Sequence, residues 1–188
     1  MGHFFTSFSF PLFAAYIAMT SSVKWWKKNT KPVEGAAIKL ASGVFKLSHP
    51  YLLNNVKCVL QILVVYNFVI SAVNVYCTFG FVMSLWESGS LYARDPNPYL
   101  RRTLYLYWVT KVVELSDTAF MLLRHRFRQI SPLHVYHHAS MLLLSDLAYS
   151  KYPYANFALG LMLNSFVHIV LYAYYGECSS PSLSETPH

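Results

Sequence analysis

The chain has 188 residues, of which 55% are hydrophobic, 17% aromatic and only 12% charged. An average soluble domain carries about 25% charged residues, so a water-soluble globular protein is excluded and an all-α polytopic membrane protein is expected. The net charge of +7 then belongs to loops, where Lys and Arg cluster beside apolar blocks for topological reasons, and no nucleic-acid partner is expected from it.

Segment one, Phe4 to Val23, is uncharged and long enough to span a bilayer core. Its basic residues follow the apolar block, whereas a cleaved signal sequence carries them in front. Trp25, Trp26, Lys27 and Lys28 anchor its end. Residues 24–57 form a basic connector with seven Lys and one Glu. Within it Ile38, Ala41, Val44 and Phe45 oppose Lys39, Ser42 and Lys46, as in a helix lying on lipid headgroups; an ordinary loop is the other reading. Pro50 closes the connector. Segment two, Cys58 to Trp86, is about 29 residues without a charge, longer than one span needs, and so tilted, kinked or frayed. Its Asn67 and Asn74 share one face and read as interhelical glue. Cys58 and Cys77 lie about 28 Å apart along this segment, too far to bond, and Cys178 lies in the polar tail.

A polar, turn-rich loop from Glu87 to Arg102 contains Asp95-Pro96-Asn97-Pro98. Segment three, Thr103 to Leu123, ends in Arg124-His125-Arg126-Phe127-Arg128. Segment four starts after Ser131-Pro132, with proline suited to a first helical turn, and runs to Tyr149. Segment five is Tyr154 to Tyr175. The remainder to His188 is Ser/Pro-rich and expected to be disordered. Ten Lys/Arg follow segments one and three and four follow segments two and four, which puts the former loops in the cytosol and the N-terminus across the membrane.

Three groups of polar residues interrupt the apolar segments. Segment three carries Lys111, Glu114, Asp117 and Thr118; segment four opens with His134, His137 and His138; segment five carries Asn164, His168, Tyr172 and Tyr175 on one stripe. Ionisable groups inside a span are costly and mark a site or a paired network. Lys111 and Glu114, at i and i+3, neutralise each other, leaving Asp117 and Thr118 to reach other helices. Counted inward from the basic ends at 1.5 Å per residue, His137 lies at about 8 Å, Asp117 at about 9 Å, His168 at about 10 Å and Glu114 at about 14 Å. One shared site is therefore expected. Three chemistries suit it: a metal centre, since His at i and i+4 bind metals; structural polar contacts between helices; and nucleophilic or general-base work by imidazole. A di-iron centre of the His-box type requires more histidines than the four at this depth.

Three motifs, Lys111-Val-Val-Glu114-Leu-Ser-Asp117-Thr118, His134-Val-Tyr-His137-His138 and His168-Ile-Val-Leu171-Tyr172-Ala-Tyr174-Tyr175, stand in this order at spacings that resemble the ELO family of very-long-chain fatty acid elongases. Leu171 stands where that family has Met, and the likeness extends over roughly residues 60–176. The resemblance implies a seven-helix barrel, here read as about five transmembrane helices in residues 1–176 without the last two. Residues 177–188 are then a disordered tail unlike the family, and a shortened, non-catalytic form that associates with a complete elongase is the alternative. It also implies an endoplasmic reticulum membrane enzyme that condenses acyl-CoA with malonyl-CoA to 3-oxoacyl-CoA, CO2 and CoA, with no cofactor or metal. His137 would carry the acyl group; His134, His138, His168, Asp117, Lys111 and Glu114 would assist it. Thr118, Asn164, Tyr172 and Tyr175 would contact substrate, and Arg124, Arg126 and Arg128 would meet the phosphates of CoA. The lipid bilayer, further copies of the chain and the other enzymes of the elongation cycle are the implied partners.

Overall fold

A chain surrounded by lipid must satisfy its backbone N–H and C=O groups internally, and a helix does so within one segment. The computed structural model, which describes residues 2–30, 50–92, 97–124, 126–151 and 153–178, with side chains from residue 8 and, in the second stretch, from residue 61, follows that rule: all its elements are helices. The connector stretch Ile38 to Lys46, Asp95-Pro96, His125 and residues 179–188 lie outside the described residues.

Segment one forms α1, Gly2–Ser21, with Pro11 inside it. The chain turns at Ser22, whose hydroxyl donates to the Met19 carbonyl at 2.6 Å, and continues as α2, Val23–Asn29, which carries the Trp and Lys anchors. Segment two is α3, Pro50–Ser88, 39 residues and about 58 Å long. It starts eight residues before the expected Cys58, at Pro50, a residue that needs no N–H partner in a first helical turn.

Segment three is not one helix. It divides into α4, Pro98–Glu114, and α5, Ser116–Leu123. At Leu115 the backbone N–H bonds Val112 O at 3.3 Å, an i→i−3 bond that tightens the turn between the Lys111/Glu114 pair and the Asp117/Thr118 pair. The helix also begins earlier than expected: Asn97 accepts from Tyr99 N at 2.8 Å and Pro98 occupies the first turn. Segment four is α6, Pro132–Ser150, capped by Ser131, whose hydroxyl accepts from His134 N at 3.1 Å. Segment five is α7, Ala155–Cys178, which ends three residues later than read from the sequence, so that Gly176, Glu177 and Cys178 are helical.

α3 packs along α7 and also against α4; α4 lies against α6, and α6 against α1. At Gly80 the approach of α3 to α4 leaves no room for a side chain, since a Cβ there would sit 2.4 Å from Thr103 Oγ1. Gly176 is similarly covered by the Phe68 ring. The core between these helices is apolar, built from Cys77, Phe81, Leu100, Leu104, Tyr107, Ala148, Ala158 and Leu161. Residues 61–88 of α3 and the whole of α7 are long and apolar enough to cross a membrane. Their outward faces, including Val65, Val69, Phe79, Phe166, Val167 and Val170, are exposed and apolar, which suits lipid as the surrounding medium. Asn74 is no interhelical tie: its amide donates to Ile70 O of its own helix at 2.9 Å.

Candidate active site

The polar groups of segments three, four and five converge. On α4, Lys111 and Glu114 are both buried and form a two-pronged ion pair, with Lys111 Nζ 2.8 and 2.7 Å from the two carboxylate oxygens. The ammonium also sits 4.7 Å from the centre of the Tyr107 ring, whose electron-rich face attracts it. Glu114 Oε1 lies 3.3 Å from His168 Nδ1 of α7, close enough for charge attraction but out of line for a hydrogen bond. The His168 ring stacks on that of His137, centroids 5.9 Å apart and planes 25° apart. His137 and His134 each neighbour His138, at 5.5 and 4.4 Å between ring centroids.

Asp117 and Thr118, adjacent on α5, reach in opposite directions and tie four other helices together. Asp117 accepts from Tyr66 OH of α3 at 2.7 Å and, through its other oxygen, from Tyr172 OH of α7. Thr118 is fully buried and bonds His134 Nε2 of α6 at 2.9 Å and Tyr16 OH of α1 at 3.1 Å. Each of these hydrogen bonds joins α5 to a different helix.

Asn164, expected to contact substrate, lies within the cluster. Its Oδ1 accepts from Tyr107 OH at 2.7 Å, and its Nδ2 faces His137 Nε2 at 3.4 Å. Of the α7 stripe, Asn164, His168 and Tyr172 enter the cluster, whereas Tyr175 is partly exposed at its rim.

Beyond the Asp117 hub lies a cavity of about 330 Å³. Asp117, Tyr66 and Tyr172 line it together with Arg124, Arg126, Tyr175 and Cys178. Arg128 is exposed and does not line it, and none of the four clustered histidines faces it. The Tyr66–Asp117–Tyr172 bridge forms part of the cavity wall, and the His168 ring lies 5.6 Å from that of Tyr172 between centroids. Among the described residues, no three His, Cys, Asp or Glu side chains converge as a metal ligand set would.

Tyr16, Tyr66 and Tyr107 belong to the cluster, although the sequence motifs do not contain them. Each is a tyrosine in an uncharged or mixed apolar run, and its partner lies 102, 51 or 57 residues away. Only the short distance between a phenol and a polar partner reveals it. Asp146 of α6 lies outside the three polar groups, although an ionisable residue inside segment four is itself a signal; it is buried beside Ser9, which in turn accepts from Trp108 Nε1 at 3.0 Å.

Comparison with known proteins agrees with the motifs. Residues 4–186 match the model of the ELO: GNS1/SUR4 family. The relatives include very long chain fatty acid elongase 5 of Xenopus tropicalis, 36% identical over 129 residues, which cover 65% of this chain and 44% of that protein. The proteins of the same name from Homo sapiens and Rattus norvegicus are 37% and 36% identical over 129 residues, covering 65% of this chain and 43% of each. The matched stretch thus spans less than half the length of these curated relatives. The three motifs, the helices that bring them together and the match over nearly the whole sequence lead to one conclusion: this chain belongs to the ELO family.

Proposed function

We propose that this chain carries the condensing site of fatty acid elongation, joining an acyl-CoA to malonyl-CoA in the endoplasmic reticulum membrane. The observation that carries the reading is the stack of His137 on His168, backed by Glu114, with the Asp117 hub between the imidazoles and a cavity edged by Arg124 and Arg126.

In this reading a neutral His137 attacks the acyl thioester through Nε2. The C–S bond breaks, the imidazole loses its Nδ1 proton, and the CoA thiolate leaves as thiol once protonated. Loss of CO2 from malonyl-CoA then supplies a carbanion that attacks the acyl-imidazole carbonyl, breaking the C–N bond. The product is 3-oxoacyl-CoA with two more carbons, and His137 regains its proton. An acyl-imidazole is a good acyl donor because the imidazole nitrogen leaves readily. Arg124 and Arg126 offer phosphate partners of suitable geometry, and Arg128 lies outside that wall.

Lys111 and Glu114 would hold His168 in place without carrying net charge into the apolar interior. The tyrosine-clamped Asp117 would mark the passage from the phosphate end to the imidazoles. No cofactor enters this chemistry, and association with further copies or with other elongation enzymes belongs to the same proposal.

Microsomes containing the chain, supplied with labelled malonyl-CoA and a panel of acyl-CoAs, test it. A two-carbon-longer product that falls to background in His137→Ala is expected. No product from the intact chain overturns the proposal for this chain.

A further inference from the structure

Two hydrogen-bond chains of the same design end on the histidine box. In one, Tyr16 OH meets Thr118 Oγ1 at 3.1 Å and Thr118 Oγ1 meets His134 Nε2 at 2.9 Å. In the other, Tyr107 OH meets Asn164 Oδ1 at 2.7 Å and Asn164 Nδ2 faces His137 Nε2 at 3.4 Å. Each begins with a buried phenol, passes through one neutral polar side chain and stops at Nε2 of an imidazole.

The direction of each chain follows from its donors. A phenol is a stronger acid than an aliphatic alcohol, so Tyr16 gives its proton to Thr118. Thr118 has one hydroxyl proton, which is then left for His134 Nε2. The 2.7 Å between Tyr107 and Asn164 is the usual length of an O–H···O bond and short for N–H···O. The Asn164 carbonyl is therefore the end that Tyr107 holds, and its NH2 is turned to His137. In both cases the pairing is complete when Nε2 accepts the hydrogen bond and Nδ1 carries the proton.

We infer that Tyr16 and Tyr107 are positioning residues that hold His134 and His137 as Nδ1–H tautomers, each presenting a basic Nε2. The two imidazoles are held unequally. His134 Nε2 is bonded at close range and its lone pair is committed, which makes His134 a fixed support. The contact to His137 is long and weak, so its Nε2 lone pair is oriented yet available. α1, which packs on α6, thereby acts on the box through Thr118 of α5. The catalytic consequence, a nucleophilic His137 Nε2, rests on the function proposed above, whereas the tautomer assignment does not.

The test is nitrogen NMR of the full chain, labelled at histidine with ¹⁵N and held in lipid nanodiscs. Bare and protonated ring nitrogens are separated by shift, and His134→Gln and His137→Gln assign the two signals. The expected result is Nδ1–H, bare Nε2 at both residues. Tyr16→Phe should move the tautomer ratio of His134 by about tenfold, the scale of one ordinary hydrogen bond, and leave His137 unchanged. Tyr107→Phe should do the reverse. Thr118→Val should reproduce the effect of Tyr16→Phe, and Thr118→Ser should restore the parent spectrum.

A protonated Nε2 at either residue in the parent protein overturns the inference. So does a shift of both histidines together in either phenylalanine variant, which would mark a general loss of structure. These signals appear whether or not the chain elongates acyl-CoA. An inactive chain with the expected spectra would count against the proposed function and leave the tautomers standing.

Discussion

At the end of the bundle where α6 begins, helices are joined by side-chain hydrogen bonds between residues 16 to 102 positions apart; at the other end they are joined by apolar contact. The first region holds Tyr16, Tyr66, Lys111, Glu114, Asp117, Thr118 and the four histidines. The second holds Phe81, Leu100, Leu104, Ala148, Ala158 and Leu161 with the Gly80–Thr103 approach. Tyr107 belongs to both: its ring packs edge-on to Phe81 at 5.6 Å while its hydroxyl serves Asn164. The contrast separates two ways of holding helices together. Packing tolerates small changes of shape and sets stability, whereas a polar cluster in an apolar medium stands or falls with its complete set of partners.

Unbalancing charge at the polar end should have the largest effect on stability. Glu114→Ala leaves the Lys111 ammonium buried without its carboxylate and is expected to cost about 3–5 kcal/mol, read as loss of folded protein in detergent titration. The double variant Lys111→Met, Glu114→Leu should recover most of that stability and still show no elongation. A double variant as unstable as the single would remove the charge explanation.

At the apolar end, Phe81→Ala opens a cavity in the packed core and should cost about 3 kcal/mol, measured by thermal unfolding. The folded fraction should keep its activity per molecule, because Phe81 touches the site only through the back of the Tyr107 ring. A proportionate loss of activity in folded protein would show that the two regions are coupled through Tyr107.

The smallest expected effect sits at the start of α6. Ser131→Ala removes the acceptor for His134 N and should cost about 1 kcal/mol. It should raise amide exchange in the first turn of α6 and leave exchange in α3 as it was. Equal exchange in both proteins would mean that Ser131 contributes nothing to the box.

Much of this was legible because the polar residues are conspicuous in an apolar chain. Lys111 and Glu114 do pair, as their i, i+3 spacing allows, and His137, His168 and Glu114 of three helices come together. The break at Leu115 was not legible, since neither Leu115 nor its neighbours are helix breakers and the tightened turn arises between two polar pairs tied to different helices. The partners of Asn164, Tyr107 and His137, were not legible either, because they lie 57 and 27 positions away and no local pattern pairs them.

The sequence by itself determined the helical class, the approximate helix bounds, the family and the three polar groups, because hydropathy, caps and motif spacing are local properties. Only the tertiary structure decided what Asp117 and Thr118 do. Being neighbours on a helix, they point in different directions, and which of Tyr16, Tyr66, His134 and Tyr172 each one meets depends on how α1, α3, α6 and α7 pack around α5. That packing is a sum of many weak contacts over the whole chain, and no stretch of sequence contains it.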